Sequence, residues 1–276
     1  MKIVAINGSH RGERGYTQFL IDKVFQGARQ VGAQCETIVL AQHTIHRCSG
    51  CRVCQTEKSY LKCVYHEKDD VSQLFEIMRS ADMLIYATPV YIFTMTGLMK
   101  TFLDRITSTG DSSIPALSEA GLFFHHIDKQ LVSKPFVLLT CQDNFESETS
   151  KNVVSYFETF SKFLDAPFVG ILLRTSGALV GHGKNKEKEA RYPRIQRVYN
   201  ALIAAGEELV NTGKISKKTQ KIANQRIIDI PKPIEFMLKF RFIRKKRRIM
   251  EKIFQKAPLQ IAEHRAAISA NIQRER

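Results

Sequence analysis

This sequence predicts an α/β fold in which a five-stranded parallel sheet is covered by helices on both faces. Three observations support it. Five short apolar runs alternate with segments of helical period along residues 1–213, the order that a parallel sheet with crossover helices demands. The runs are nearly all apolar rather than alternating, as strands buried on both faces are. At 276 residues the chain can bury a substantial core, as one domain or one domain with an extension.

The first run, "KIVAI" (2–6), meets Asn7-Gly8-Ser9 and reads as a buried strand followed by a turn. Residues 17–32 place Phe19, Leu20, Val24, Phe25 and Ala28 on one helical face. "CETIVL" (35–40) is the second strand. Asp69 and Asp70 precede "VSQLFEIMRSA", where two acids suit a helix start. "DMLIYATP" (82–89), stopped by Pro89, is the third strand, and "GLMKTFLDRI" (97–106) the next helix. On it Lys100 and Asp104 have the spacing of a surface ion pair. "KPFVLLTC" (134–141) and "PFVGILLR" (167–174) are the last two strands, with a helix over 149–165 between them. A long helix over 190–212 stops at Asn211-Thr212-Gly213. Residues 107–133 carry mixed signals and predict a lid or an interface element.

Ligands of such sheets bind where loops leave the carboxyl ends of the strands, which singles out loops 7–16, 41–68, 88–96 and 140–148. The first, "INGSHRGERGYTQ", combines three glycines with Ser9, Arg11 and Thr17 between a strand and a helix. Unpaired amides at a helix start, hydroxyls and a guanidinium suit a phosphate dianion. The spacing matches neither G-x-G-x-x-G nor G-x-x-x-x-G-K-[ST]. An ordinary glycine turn with a threonine cap is the plain alternative.

"GSHRGERGYT" after the first strand, "CSGCRVC" after the second and "TPVYIFTMTGLMKTFLDR" after the third together resemble the flavodoxin-like NAD(P)H-dependent FMN reductase family, nearest its iron–sulfur flavoprotein branch. The likeness covers roughly residues 1–213. It implies a flavodoxin-like, doubly wound five-stranded parallel sheet, bound FMN, NAD(P)H as a reductant and a homodimer or homotetramer. By the same resemblance Ser9, Arg11, Thr17 and Gln18 hold the FMN phosphate. Pro89, Val90, Tyr91, Ile92, Phe93 and Thr94 line the isoalloxazine ring. The first loop departs from the family pattern at His10 and Tyr16, where proline and asparagine are usual. The flavin itself carries the reaction, so no side chain is assigned as acid or base. Residues 140–144 would approach the ring from the other side, with Cys141 a small buried residue, and loop 176–186 is read as a mobile surface loop.

Cys48, Cys51, Cys54 and Cys63 have the spacing C-x2-C-x2-C-x8-C. Three thiolates in seven residues with a fourth nearby suit a [4Fe–4S] cluster better than the two separated pairs of structural zinc; unmetallated thiols remain the alternative. Cys35, inside a strand, is expected to be inert.

The formal charge of +15 is concentrated at one end: residues 214–276 hold 18 Lys+Arg against 5 Asp+Glu, and the rest 24 against 22. An apolar patch from Phe236 to Ile243, "RKKRR" (244–248) and a helical stripe after it predict a basic amphipathic helical extension over 214–276. A helical arm packed on protein is expected, with an anionic membrane surface the next reading; no nucleic-acid module accompanies the charge. "MKIVAINGSH" is too soon polar for a secretory signal, and no stretch nears twenty apolar residues, so a cytoplasmic protein with reduced thiols is expected. The sequence thus reads as an FMN-dependent oxidoreductase passing electrons from NAD(P)H or a ferredoxin-like donor to a small acceptor or protein partner. A cluster-free quinone, nitro or azo reductase and a flavodoxin-like redox-sensing module are the alternatives.

Overall fold

The computed structural model describes residues 1–227 together with 236 and 240, so most of the basic extension lies outside the described residues. In chain order the elements are β1 (Lys2–Asn7), α1 (Tyr16–Gln30), β2 (Gln34–Val39), α2 (Val71–Arg79), β3 (Met83–Pro89), α3 (Gly97–Asp104), β4 (Asp111–Leu117), β5 (Phe123–His126) and α4 (Lys129–Val132). Then come β6 (Phe136–Cys141), α5 (Lys151–Phe163), β7 (Phe168–Arg174), α6 (Gly177–Val180), α7 (Lys186–Ala190), α8 (Ile195–Thr212) and α9 (Lys217–Ala223). Five strands form one sheet in the order β2-β1-β3-β6-β7, every neighbouring pair parallel. β4 and β5 make a separate antiparallel pair inside the 107–133 insert. This is the flavodoxin-like sheet, with the order reversing beside β1 and β3.

Period-two geometry divides the strands' side chains between two cores. Ile3 and Ala5 of β1, Met83 and Ile85 of β3, and Val137 and Leu139 of β6 face a layer that includes Leu20, Val24, Val198 and Leu202. Val4, Ile6, Leu84, Tyr86 and Leu138 face the other layer, with Leu74, Phe102, Phe136 and Phe157. Each fully buried Leu, Ile or Phe contributes about 1.5–3 kcal/mol, so two such layers hold the strand ends in fixed register.

Two details correct the sequence reading. The long helix starts at Ile195 rather than near 190, because Pro193 lacks an amide and disfavours helical geometry in Tyr192. Asp69 and Asp70 precede α2, yet their carboxylates chiefly fasten the neighbouring strap: Asp70 accepts from the Thr44 amide at 2.8 Å and Asp69 from the His46 amide at 3.0 Å.

Residues 214–227 lie against β7. The Ile215 amide donates to Val169 O at 2.9 Å. The Gln220 side chain accepts from the Ile171 amide at 2.8 Å, and Asn224 accepts from Leu173 N and donates to Ile171 O, both at 2.8 Å. Gln220 of α9 and Asn224 just after it thereby satisfy the outer backbone edge of β7, which would otherwise present open strand groups. Among the described residues no helix is long and apolar enough to cross a membrane.

Candidate functional site

Asn7, the last residue of β1, organises the first loop. Its Oδ1 accepts from the Ser9 amide at 2.9 Å and its Nδ2 donates to Gln18 Oε1 at 2.9 Å. Ser9 is almost fully buried, and its Oγ accepts from the Arg11 amide at 3.2 Å. Gly12 turns the chain at φ +53°, a conformation glycine adopts at no steric cost. Gly15 then enters α1 with no side-chain cap, and a Cβ there would stand 2.8 Å from Ser9 Oγ. The missing methyl keeps a hollow open at a helix start, where amides and the helix dipole favour a phosphate.

The second wall follows β3. The Val90 amide donates to Cys141 O at 2.9 Å. Residues 91–94 then close a two-residue turn, in which the Tyr91 amide donates to Thr94 O at 2.9 Å and the Thr94 amide to Tyr91 O at 3.2 Å. The central residues Ile92 and Phe93 have φ +47° and +66°, the I′ geometry usually given to asparagine and glycine. Ile92 is 88% exposed, Phe93 59% and Tyr91 46%. Thr96 anchors this loop to the first: its hydroxyl donates to Gly8 O at 2.7 Å and caps α3 by accepting from the Met99 amide at 3.1 Å.

These loops and the segment after β6 enclose a cavity of about 490 Å³, lined by Ser9, Arg11, Tyr16, Thr17, residues 89–93, residues 141–144, Thr149, Ala178 and Lys188. The structure therefore brings together Ser9, Arg11, Thr17, Pro89, Val90, Tyr91, Ile92 and Phe93. Gln18 is instead turned toward Asn7 and Asp22, to whose Oδ1 it donates at 2.9 Å. Thr94 closes the turn through its backbone and does not line the cavity. Tyr16 and Lys188 line it as well: Tyr16 adjoins the first loop, whereas Lys188 comes from α7, where the sequence carries no local signal. Loop 176–186 is anchored rather than loose: His182 is fully buried, and a Cβ on Gly183 would strike the Phe19 ring at 2.1 Å. A hollow lined by hydroxyls and Arg11 at one end and by an apolar, strained turn at the other fits a phosphate joined to a flat aromatic ring.

A second, smaller cavity of about 170 Å³ is lined by Cys48, Cys51, Cys54 and Cys63 with Tyr65, Arg105 and His125 among others. Cys48 and Cys51 are exposed, Cys54 and Cys63 half-buried, and all are free thiols. The Val53 amide, followed by the Ser49 hydroxyl, holds the Cys51 thiol below the usual range. Among the described residues no three His, Cys, Asp or Glu side chains stand close enough to hold a metal ion. As placed, the four thiols share a wall without converging on one point. The loop that carries them is fixed to the insert: Gln55 donates to Gly110 O at 2.8 Å and accepts from the Ser112 amide at 2.9 Å, and the Tyr60 hydroxyl donates to Asp111 at 2.8 Å. Arg105, the residue that follows α3, is buried, pairs with Asp69 and donates to His46 O at 2.9 Å. Lys100 and Asp104 do form their surface pair. Cys141 is buried, its thiol pushed up to about 12 by desolvation, and burial also raises Cys35.

Comparison with known proteins points the same way. Residues 1–147 match the family model described as NADPH-dependent FMN reductase. An iron–sulfur flavoprotein of Archaeoglobus fulgidus is 34% identical over 105 residues, 38% of this chain and 48% of that protein, so the match spans about half of the relative's length. An iron–sulfur flavoprotein of Clostridioides difficile is 24% identical over 238 residues, 86% of this chain and 92% of that one. Among solved structures, an FMN-dependent NADH-azoreductase from Bacillus anthracis in complex with FMN superposes with a TM-score of 0.54 at 13% identity, covering 76% of this chain and all of that one; this likeness shows the shared fold.

Proposed function

The chain belongs to the NADPH-dependent FMN reductase family, and from that premise we propose that it is an NAD(P)H-dependent FMN oxidoreductase. The observation that carries this reading is the cavity of about 490 Å³ at the carboxyl ends of β1, β3 and β6, with Ser9, Arg11 and Thr17 at one end and residues 89–93 at the other. Bound there, FMN would supply the redox chemistry by accepting a hydride from a nicotinamide and passing electrons to a small acceptor or a protein partner. The chain's own residues have simpler tasks. Ser9, Arg11 and Thr17 hold the phosphate, and the residue 89–93 segment supports the ring and keeps water from one face. A homodimer or homotetramer belongs to the same proposal.

Titration of the purified protein with FMN tests it, read by quenching of flavin fluorescence. Binding at micromolar or tighter affinity is expected, and the R11A variant should bind about 10- to 100-fold more weakly, the loss of a charged hydrogen bond of about 1.5–3 kcal/mol. NAD(P)H consumption on adding a quinone, nitro or azo acceptor supports catalysis; a flavin that binds and never turns over points to a sensing module. Protein that refuses FMN at micromolar concentration refutes the reading.

A second reading adds a [4Fe–4S] cluster on Cys48, Cys51, Cys54 and Cys63. One cavity shared by all four thiols favours it; their failure to converge opposes it. Iron and acid-labile sulfide at about four each per chain after anaerobic purification would support it, and iron-free protein after reconstitution would remove it.

A further inference from the structure

Arg174, the last residue of β7, stands beside Cys141 in the register of β6 and β7, and Cys141 lines the large cavity. The Arg174 side chain is fully buried. Its Nε donates to Leu173 O at 2.9 Å and its Nη2 to Gln225 O at 2.9 Å, while Nη1 has no partner. Two carbonyls do not neutralise a guanidinium, and an uncompensated buried charge is costly.

The surroundings leave that charge standing. Burial lowers the guanidinium to about 10, so it stays protonated at neutral pH. The titratable groups beside it are all neutral there: the Cys141 thiol lies near 12, burial pushes the Tyr199 hydroxyl up, and burial drives the His182 imidazole down to about 3. Two carboxylates belong to the same part of the fold, and neither pairs with Arg174. Glu189 accepts from the Tyr199 hydroxyl at 2.6 Å and from the Gly183 amide, and Asp143 accepts from the Ala178 amide at 2.8 Å. Buried polar atoms without partners gather in the same region, on Thr140, Gln142, Thr175, Ser176, His182 and Gln225. The floor behind Cys141 is thus a polar pocket wall holding a guanidinium that, among the described residues, makes no ion pair, with Asp143 the acid on the same cavity.

We propose that Arg174 is a positioning charge for the flavin reaction: its buried guanidinium behind Cys141 stabilises the negative charge that bound flavin acquires on reduction. The step balances as NAD(P)H plus FMN giving NAD(P)⁺ plus FMNH⁻. A hydride leaves the nicotinamide C4 for flavin N5, and the electron pair leaves one negative charge on the ring. A fixed cation buried away from water favours the product side of that equilibrium. Only this differential effect matters, because a charge that held both oxidation states equally would shift nothing. The inference rests on the FMN reading.

The test is an equilibrium, not a rate. Wild type, R174Q and R174K are loaded with FMN and poised against a reference redox dye, with FMN affinity measured in parallel. R174Q should shift the equilibrium at least tenfold toward oxidised flavin, about 30 mV for a two-electron couple. R174K, which keeps the charge but not the two carbonyl bonds, should remain within about threefold of wild type. R174Q that binds FMN with an unmoved equilibrium overturns this inference alone, as do equal shifts in R174Q and R174K, which would mark a purely structural role. Failure of wild type to bind FMN overturns this and the functional reading together. Should R174Q not fold, the wild-type protein decides: bound FMN must be easier to reduce than free FMN, and the reverse order ends the proposal.

Discussion

Ile92 shows how a single residue can be set against its own backbone. A β-branched side chain in the left-handed region costs about 1–2 kcal/mol, and at 88% exposure Ile92 recovers almost none of it by packing. Strain of this kind persists where a ligand needs the shape. The I92N variant should therefore raise the stability of flavin-free protein by about 1 kcal/mol, since asparagine tolerates this conformation. It should also weaken FMN binding, because the apolar surface facing the cavity is lost. Urea unfolding and an FMN titration on the same preparation check both signs; loss of stability would show that the turn is not strained. At this scale the sequence was most legible where chemistry is local. Ser9, Arg11 and Thr17, proposed to hold the phosphate, lie within one glycine-rich turn, and residues 89–93, proposed to hold the ring, within one unusual apolar loop. Gln18 adjoins Thr17 in sequence, and its amide is bonded to Asn7 and Asp22. Arg174 gave no signal, since a basic residue ending an apolar run reads as a solvent-facing end, whereas the side chain is buried and bonded to Gln225 O beyond α9.

Among the elements, the pairing of α1 with α8 depends on two glycines. A Cβ on Gly27 would stand 1.8 Å from Ile203 O, and one on Gly206 would stand 1.9 Å from Val24 O. Each helix thus presses its backbone against the other through a missing side chain, and neither obstacle is a flexible group that could move aside. G206A should separate the helices and destabilise the protein by about 2–4 kcal/mol, more than the helix propensity of alanine returns. A shift of the urea midpoint by less than the equivalent of about 1 kcal/mol would mean that the contact is looser than it looks. Periodicity alone located both helices, because each buries one stripe of apolar residues. It could not show which stripe met which, nor that two glycines mark the meeting point. The same limit hid the role of residues 214–224: Gln220 and Asn224 look like ordinary polar helix positions, and only the register of β7 reveals that they replace a missing neighbouring strand.

Across the whole molecule, buried titratable groups tie stability to pH, and His182 is the clearest case. Its ring is buried between the Tyr16 and Tyr199 rings, with Nδ1 3.4 Å from the Tyr199 hydroxyl. Burial first, and then the Arg174 charge, depress its pKa from 6.5 to about 3. The sign follows from which state binds the proton. Below 6.5 the unfolded chain protonates this imidazole while the folded protein refuses the proton until about 3. Unfolding therefore takes up a proton throughout that window, and stability falls as pH falls, by about 1.4 kcal/mol per pH unit for one group. Carboxylates add their own acid losses; Asp111, held below its usual range by the Ser113 hydroxyl and amide and by the Tyr60 hydroxyl, is one. A comparison separates them, because H182Q removes only the imidazole. Urea unfolding of wild type and H182Q at a series of pH values should show wild type losing stability faster on acidification, the gap between the curves closing or inverting toward low pH. Parallel curves across the window would mean that the folded protein accepts the proton, and hence that the region around Arg174 is open to water; the charge behind Cys141 would then be screened, and its hold on a reduced flavin would weaken with it.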